Sequence, residues 1–273
     1  MSAEALPLEA SDAERVESFG PVAVVVRDGV ATVTVDSPPV NAMGRAVLGG
    51  LGEAAAALAA ADDVRVVVLT GAGTKAFMAG ADIEEFETVR SSPGGMATHS
   101  EWAGGVLAAW AALPQPVIAA VQASAVGGGL EIALTADLVV TDPRAKFGLP
   151  EVKLGLIPGG GGTQRLPRRV GTARALRLML LGSVVPASAA LEMGLVDEVA
   201  EPGEVLVAAE ALAARIAAMP RVAVQALKRC VDPGLSAAID EERRIFLEVA
   251  RSEDFVEGVA AFVEKRPAVY THR

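Results

Sequence analysis

Two glutamates, Glu131 and Glu151, stand beside glycine-rich turns and are the side chains of this sequence best suited to acid and base chemistry. They occur in the segments GGGLEIAL and FGLPEVKLGLIPGGGGTQRL, twenty positions apart. Side chains that share a helix face lie three or four positions apart, so only tertiary folding could bring these two together. If folding does so, the chain has a carboxylate pair for general acid and base catalysis on a carbonyl-activated substrate.

Each glutamate also has a purely structural interpretation. Glu131 could be a carboxylate at the start of a helix, where the helix dipole favours negative charge. Glu151 could be a solvated loop charge, as most glutamates are. Asp82 is interpreted as a helix cap rather than as a catalyst. These alternatives stay open as long as only the residue types are considered.

Two glycine-bearing segments each lead into the start of a predicted helix: KAFMAGADIEEF, and SAVGGGLEIAL, which also carries Glu131. Free backbone N–H groups at a helix start bind negative charge, and glycine lets the backbone approach a ligand. Two such turns could therefore direct two N–H groups at one oxygen. Reactions of a thioester that pass through an enolate need this arrangement, because charge builds on the carbonyl oxygen. Most glycine turns are only turns, so neither segment alone establishes the function.

The sequence lacks the residues that most other kinds of catalytic or cofactor site require. The only histidines, His99 and His272, are interpreted as surface or packing residues, which leaves no catalytic triad and no metal site. The single cysteine, Cys230, is interpreted as a small core residue. Residues 71–76, GAGTKA, fit a relaxed dinucleotide pattern but lead into no helix, and residues 159–162 lack the ending of a phosphate-binding loop. The general acid and base are therefore sought among carboxylates.

Composition predicts a soluble, cytoplasmic protein. The chain has 273 residues, of which 52% are hydrophobic, yet no apolar run reaches the roughly 18 residues that a membrane span needs. The acidic N-terminal segment lacks the basic and apolar parts of a signal peptide. A net charge of −10 argues against nucleic-acid binding, so an anionic ligand would need a local basic patch.

The elements that would position the glutamates follow an α/β pattern. Strands alternate with helices up to about Thr163, which favours parallel pairing through crossover helices, and the later signals are almost all helical. We expect a flexible acidic leader over 1–20, a core with the active site over 21–200 and a helical region over 201–273. The predicted elements are a hairpin at 22–35 with its turn at Asp28 and Gly29, helices at 44–60 and 101–113, and strands at 64–70, 117–121 and 138–141.

Four motifs in this order resemble the enoyl-CoA hydratase branch of the crotonase superfamily. They are KAFMAGADIEEF, SAVGGGLEIALTADLVV, AKFGLPEVKLGLIPGGGGTQRL and AFVEKRPAV, and PPVNAMGRAV is similar to a fifth segment of the family. The resemblance covers about residues 22–270. It implies a crotonase-like spiral of ββα units with a helical C-terminal trimerisation region, assembled as trimers or dimers of trimers. It also implies an acyl-CoA thioester substrate, with no separate cofactor and no metal.

The resemblance assigns roles to the residues at the matching positions. It implies an oxyanion hole made by the N–H groups of Ala81 and Gly128. Glu131 would orient a water and help to take its proton, and protonated Glu151 would deliver a proton to C2 of a trans-2-enoyl-CoA. The Gly159 amide would help to position the water and Glu151. The product would be a (3S)-3-hydroxyacyl-CoA, in fatty-acid β-oxidation or in amino-acid or aromatic degradation.

The resemblance further implies contacts to the substrate and its CoA part. Lys265, with its neighbour Arg266, would reach CoA phosphates, although a solvated helix face is the alternative interpretation. Met43 and Met78 depart from the family pattern, and their flexible thioethers could reshape the acyl or adenine pocket. Residues 86–110 would line the acyl tunnel. The full set predicted to bind substrate or CoA is Ala42, Arg45, Ala79, Asp82, Ile83, Gly127, Pro150 and Lys265.

Two other functions remain as alternatives. An enoyl-CoA isomerase of the same superfamily shares the oxyanion hole but needs only proton shuttling, and it usually lacks one of the two glutamates. A catalytically idle homologue that binds CoA thioesters or RNA would need neither glutamate. The presence of both Glu131 and Glu151 favours water addition, and the net charge of −10 argues against RNA.

Overall fold

The computed structural model describes residues 14–93, 95–230 and 235–269. The first thirteen residues of the predicted leader, His272 and the side chain of Cys230 lie outside the described part, so the predictions for them stay predictions. The strands are β1 (Arg15–Phe19), β2 (Val22–Arg27), β3 (Val30–Val35), β4 (Val66–Gly71), β5 (Ala76–Met78), β6 (Val117–Val121), β7 (Ser124–Val126), β8 (Leu138–Thr141), β9 (Lys146–Gly148), β10 (Val184–Pro186) and β11 (Glu198–Val199).

Helices connect the strands and make up most of the chain after β9. They are α1 (Arg45–Ala59), α2 (Ile83–Arg90), α3 (Gly95–Ala111), α4 (Gly128–Ala133), a 3₁₀ helix (Glu151–Leu154), α5 (Gly162–Val170), α6 (Thr172–Leu181), α7 (Ala187–Glu192), α8 (Val205–Ala217), α9 (Arg221–Cys230), α10 (Leu235–Val249) and α11 (Glu253–Glu264). The predicted hairpin, the helix at 44–60 and the strands at 117–121 and 138–141 are confirmed within a residue or two.

The strands form two sheets. The larger sheet has the order β1-β2-β3-β4-β6-β8-β11, and the smaller has the order β10-β9-β7-β5. Three successive units place one strand in each sheet before the chain continues into a helix: β4 with β5, β6 with β7, and β8 with β9. Neighbouring strands of these units pair in parallel in both sheets. This repeat is the spiral of ββα units that the resemblance implies, and the α/β class is confirmed.

The larger sheet is covered on both faces, which explains its continuous apolar strands. All residues of β4 and β6 are buried, as is typical of parallel sheets. On one face, Val67 and Leu69 pack in the main core with residues of α1 and α3. On the other face, Val66 and Val68 pack against small residues of α8.

The C-terminal region is helical as predicted, but its first helix belongs to the core. Ala209 and Ala213 of α8 are fully buried against the larger sheet, because alanines spaced four apart let the helix lie close to the strands. Beyond α8, the helix α10 packs against α3 and α5, and α11 packs against the 3₁₀ helix. These helices therefore pack on the core of their own chain.

The predicted end of the leader at residue 20 is wrong. Residues Arg15–Phe19 form β1, which pairs antiparallel with β2 through a tight turn at Gly20. The strand is at the edge of the sheet and its side chains alternate between half-buried and exposed, so its charged residues concealed the pattern in the sequence. Ion pairs of Arg15 with Glu17 and Asp63 lie along this edge.

Two short strands were missed in the part predicted to be helical. β10 pairs antiparallel with β9 and closes the smaller sheet, while β11 pairs in parallel with β8 at the end of the larger one. Strands of three and two residues are too short to show a period of two. Among the described helices, none combines the length and apolar character that a membrane crossing requires.

Candidate active site

A cavity of about 300 Å³ lies where the ββα units end, and both glutamates line it. Each unit places the segment after its second strand at this point, so residues distant in sequence meet here. The cavity is lined from the predicted set by Ala79, Ala81, Gly127, Gly128, Glu131, Pro150, Glu151 and Gly159. Tertiary folding therefore brings together Glu131 and Glu151, as the acid and base hypothesis requires.

Glu131 lies in the first turn of α4 and is held by the glycine-rich turn that precedes α5. Its side chain is 5% exposed, and its Oε1 accepts hydrogen bonds from the N–H groups of Gly160 at 2.7 Å and Gly162 at 2.8 Å. Burial raises the pKa of Glu131, whereas these N–H groups and the charge of Arg165 act to lower it. Two donors on one oxygen fix this carboxylate as a hydrogen-bond acceptor.

Glu151 begins the 3₁₀ helix after Pro150, and its environment differs from that of Glu131. Its Oε2 is buried and has no hydrogen-bond partner within the described residues. Burial, and then the negative charge of Glu131, raises the pKa of Glu151 to about 8. The interpretation of Glu151 as a solvated loop charge is therefore wrong. The N–H donors favour the charged form of Glu131, whereas the charge of Glu131 favours the protonated form of Glu151.

The two turns predicted to form the oxyanion hole lie side by side. A methyl group added at Gly80 would come within 3.4 Å of the Gly128 nitrogen, and one added at Gly128 within 3.8 Å of the Ala81 nitrogen. The Met43 N–H donates to the Gly80 carbonyl at 2.7 Å and so holds the first turn in place. Neither the Ala81 nor the Gly128 N–H donates to a backbone carbonyl in the described part of the chain. Both residues line the cavity, and the role of their N–H groups as oxyanion donors stays a prediction.

The third glycine of the triplet 127–129 is explained by the packing of α4. A methyl group at Gly129 would lie only 1.9 Å from the Met78 carbonyl oxygen, so α4 packs against β5 at a distance that only glycine allows. Met78 itself is fully buried and does not line the cavity. The suggestion that Met78 reshapes the substrate pocket is therefore wrong, whereas Met43 does line it.

Comparison with known proteins agrees with this arrangement. The profile of the family described as Enoyl-CoA hydratase/isomerase matches residues 26–273. The chain belongs to this family. A similar protein is the "Short-chain-enoyl-CoA hydratase" of Clostridium acetobutylicum, which is 38% identical over 242 residues. The match covers 87% of this chain and 92% of that protein.

Two further family members are similarly close. A "Probable enoyl-CoA hydratase" of Mycobacterium bovis is 38% identical over 252 residues, which cover 89% of this chain and 95% of the relative. The crystal structure of a carnitinyl-CoA hydratase from Mycobacterium avium is 40% identical and superposes with a TM-score of 0.83, covering 93% of this chain and 99% of that one. The likeness thus extends through nearly the whole chain.

Within this family site, three of the eight predicted substrate and CoA residues line the cavity, namely Ala79, Gly127 and Pro150. Asp82 lies just outside, and its Oδ1 accepts the Glu85 N–H at 3.3 Å, which makes it a cap of α2. Ile83 begins α2, and Ala42 lies in the turn before α1. Neither of the last two is among the residues that line the cavity, so their contacts to a substrate stay predictions.

The basic residues predicted to bind CoA lie apart from the cavity lining. Arg45 begins α1, and its guanidinium lies 5.7 Å from the ring centre of Trp102, a cation–π contact. Lys265 ends α11 in a left-handed conformation and is exposed. The neighbouring Arg266 forms ion pairs with Glu257 and Glu264, both at 2.6 Å. Arg266 is thus already engaged within its own chain.

One face of α3 lines the cavity, within the stretch 86–110, and the assignment of this stretch to an acyl tunnel stays a prediction. The lining side chains are His99, Ser100, Ala103 and Leu107, which recur at helical spacing. His99 was interpreted as a surface or packing residue, yet it lines the cavity while its ring packs edge-on against Trp102 at 5.9 Å. Burial, and then the charge of Arg45, lowers the pKa of His99.

A third buried glutamate was missed by the sequence analysis. Glu242 of α10 is 2% exposed and accepts hydrogen bonds from the N–H groups of Gly161 and Thr163. The signal that could have found it is its position between Ile239 and Phe246 on one helix face. A charged residue within an apolar stripe is seldom buried unless it has partners.

Proposed function

We propose that this protein is an enoyl-CoA hydratase, a hydro-lyase that adds water across the 2,3 double bond of a trans-2-enoyl-CoA. The product is a (3S)-3-hydroxyacyl-CoA. One observation carries the proposal: two carboxyl groups of opposite character share one cavity. Glu131 accepts two N–H donors, whereas Glu151 presents a buried oxygen with no partner in the described residues.

The reaction follows from these two environments. Glu131 orients a water at C3 and takes its proton as the water oxygen bonds to carbon. Glu151, whose pKa is raised to about 8, carries a proton at neutral pH and delivers it to C2. One proton moves from water to the glutamate pair while another moves from the pair to the product, so the pair ends with the proton count with which it began.

The enolate oxygen that forms between these steps is assigned to the N–H groups of Ala81 and Gly128. Their turns are adjacent and both residues line the cavity, which supports this assignment. Donors placed before the reaction stabilise developing charge more than they stabilise the neutral carbonyl, and losing one costs about 3 kcal/mol. The Gly159 amide is proposed to position the water, and the reaction needs no cofactor besides the CoA of the substrate.

The remaining partners are also proposals. The substrate is an acyl-CoA thioester, with Arg45 and Lys265 as candidate contacts to its CoA part, and the protein assembles as a homotrimer or a dimer of trimers. An isomerase is the nearest alternative, since it would use the same oxyanion donors. The placement of both glutamates in one cavity supports hydration, because isomerisation needs no water held between two carboxylates.

Replacement of Glu151 by glutamine tests the proposed function. Glutamine keeps the shape but cannot donate a proton at C2, so we expect hydration of crotonyl-CoA to fall by at least about a hundredfold with little change in CoA affinity. The assay is the loss of enoyl absorbance. Glu248→Gln serves as the matched control, because this glutamate of α10 is 73% exposed. Undiminished turnover in Glu151→Gln would remove Glu151 from the mechanism, and isomerisation without hydration by the wild type would favour the alternative.

A further inference from the structure

The glycine-rich turn at 160–163 is held between two carboxylates on opposite sides. The N–H groups of Gly160 and Gly162 donate to Glu131, whereas those of Gly161 and Thr163 donate to Glu242. Four successive N–H groups thus alternate between the two acceptors. Movement of the turn as a whole would therefore change the hydrogen bonds of both glutamates.

Glu242 acts here as an acceptor with three donors. Its Oε2 accepts the Thr163 N–H at 2.6 Å and the Thr163 hydroxyl at 2.5 Å, and its Oε1 accepts the Gly161 N–H. The Thr163 hydroxyl itself accepts a hydrogen bond from Gln164 at 3.0 Å, which leaves its own hydrogen for Glu242. All three contacts require a lone pair on the Glu242 side, as a carboxylate provides.

A buried arginine joins the same group. Arg165 is 5% exposed, and its Nη1 donates to the Gly160 carbonyl at 2.7 Å. A methyl group at Gly161 would lie 1.9 Å from that Nη1, and Gly161 has a φ of +100°, so only glycine lets the guanidinium pass the turn. The charge of Arg165 interacts with both Glu131 and Glu242. Two buried carboxylates thus share one guanidinium across the turn.

We propose that Glu242 is a positioning residue of the hydration reaction, which holds the glycine turn so that the Gly160 and Gly162 N–H groups present Glu131 to the attacking water. The proposal rests on the hydratase function. Glu242 does not line the cavity and therefore acts through the turn rather than on the substrate. Its neighbour on α10 one turn further, Phe246, does line the cavity, and a methyl group added at Gly159 would lie 2.6 Å from its ring. The helix α10 thus carries both the residue that holds the turn and part of the cavity wall.

The charges around Glu242 lead to a second measurable effect, on the pH dependence of the rate. Glu242 faces Glu131 from α4, Arg165 from α5 and Glu151 from the 3₁₀ helix. Burial, and then the charge of Glu131, raises the pKa of Glu242 to about 7. In turn, the charge of Glu242 contributes to the raised pKa of Glu151. Removing that charge should lower the pKa of Glu151 and move the alkaline limb of the rate profile to lower pH.

Glu242→Gln is the test, with Glu248→Gln as the matched control on the exposed face of α10. The glutamine amide can accept on one side only and turns a donor toward either Gly161 or Thr163. We expect kcat for crotonyl-CoA to fall by about tenfold to a hundredfold with KM changed by less than about threefold, because misplacing a catalytic group costs turnover. The alkaline limb should move down by about half a pH unit or more.

Two additional measurements separate this proposal from a general loss of structure and from failure of the proposed function. Glu242→Asp keeps the charge but shortens the reach, so kcat should fall while the alkaline limb stays in place. Hydrogen exchange of the peptide 158–166 should be faster in Glu242→Gln than in the wild type, whatever reaction the protein catalyses. Unchanged exchange in a folded variant, or kcat within about twofold of the wild type in both variants, overturns the positioning role. A wild type that binds crotonyl-CoA without hydrating it, but shows the faster exchange in the variant, contradicts the hydratase function alone.

Discussion

At the scale of single residues, the site depends on how differently two identical side chains are surrounded. Glu131 is surrounded by N–H donors, and Glu151 by apolar lining and the charge of its partner. The residue types predicted that both would matter, and the family resemblance alone assigned the proton to Glu151. The protonation itself depends on burial and on the fact that the glycine turn donates to Glu131, and both are set by tertiary folding. Glu242 was missed for the same reason, since its donors lie some eighty positions away.

The raised pKa of Glu151 has a consequence for stability. Glu151 binds its proton more tightly in the folded protein, where its pKa is about 8, than in the unfolded chain, where the ordinary value of 4.5 applies. The contribution of this group to the free energy of unfolding is therefore fully present below about pH 4.5 and is lost as the pH rises through about 8. Glu151→Gln removes the titration. We expect its free energy of unfolding to exceed that of the wild type by about 2 kcal/mol or more at pH 9, and the excess to shrink toward pH 4.5.

Thermal unfolding across pH measures this difference. Glu248→Gln provides the reference for losing one carboxylate charge from the surface. An excess for Glu151→Gln that is constant between pH 4.5 and pH 9 would show that Glu151 does not hold its proton more tightly in the folded state.

At the scale of elements, the ββα repeat explains why three separate glycine segments meet. Each unit ends at the same edge of the fold, so the turns after β5, β7 and β9 become neighbours. The long apolar strands and the Asp-Gly hairpin were predictable because their patterns are local and periodic. β1, β10 and β11 were not, because edge strands and strands of two or three residues form only where a partner strand already exists.

The contact between α4 and β5 gives a prediction at this scale. Gly129→Ala should destabilise the protein by about 2 kcal/mol or more, since the added methyl would lie 1.9 Å from the Met78 carbonyl oxygen and must displace backbone. Gly105→Ala is the matched helical control, because a methyl there meets nothing within 4 Å. The control should gain about 0.5 to 1 kcal/mol. Denaturant unfolding compares the two, and equal effects would contradict the close packing of α4.

At the scale of the whole molecule, apolar side chains remain exposed on the helices after the glycine turn. They include Leu176 and Leu180 on α6, which are 50% and 64% exposed, and Phe262 and Val263 on α11, which are 59% and 62% exposed. Exposed apolar groups in neighbouring positions are typical of surfaces that pair with another chain. They support the proposed trimer or dimer of trimers, which the sequence suggested only through its resemblance.

Sedimentation equilibrium tests this assembly. We expect a particle of three or six chains of 27.8 kDa each. Because the exposed groups are apolar, the assembly should persist in 1 M NaCl, where the screening length falls to about 3 Å and surface ion pairs weaken. A monomer at low salt would contradict the proposal, and dissociation at high salt would assign the interface to charges instead.

The alternating donors of the turn at 160–163 place a limit on its length. Because successive N–H groups point to opposite sides, insertion or deletion of one residue would exchange the donors of Glu131 and Glu242. Two inserted residues would restore the original order. A redesigned or divergent version of the site therefore has to keep the glycines and can change the length of this turn only by an even number of residues.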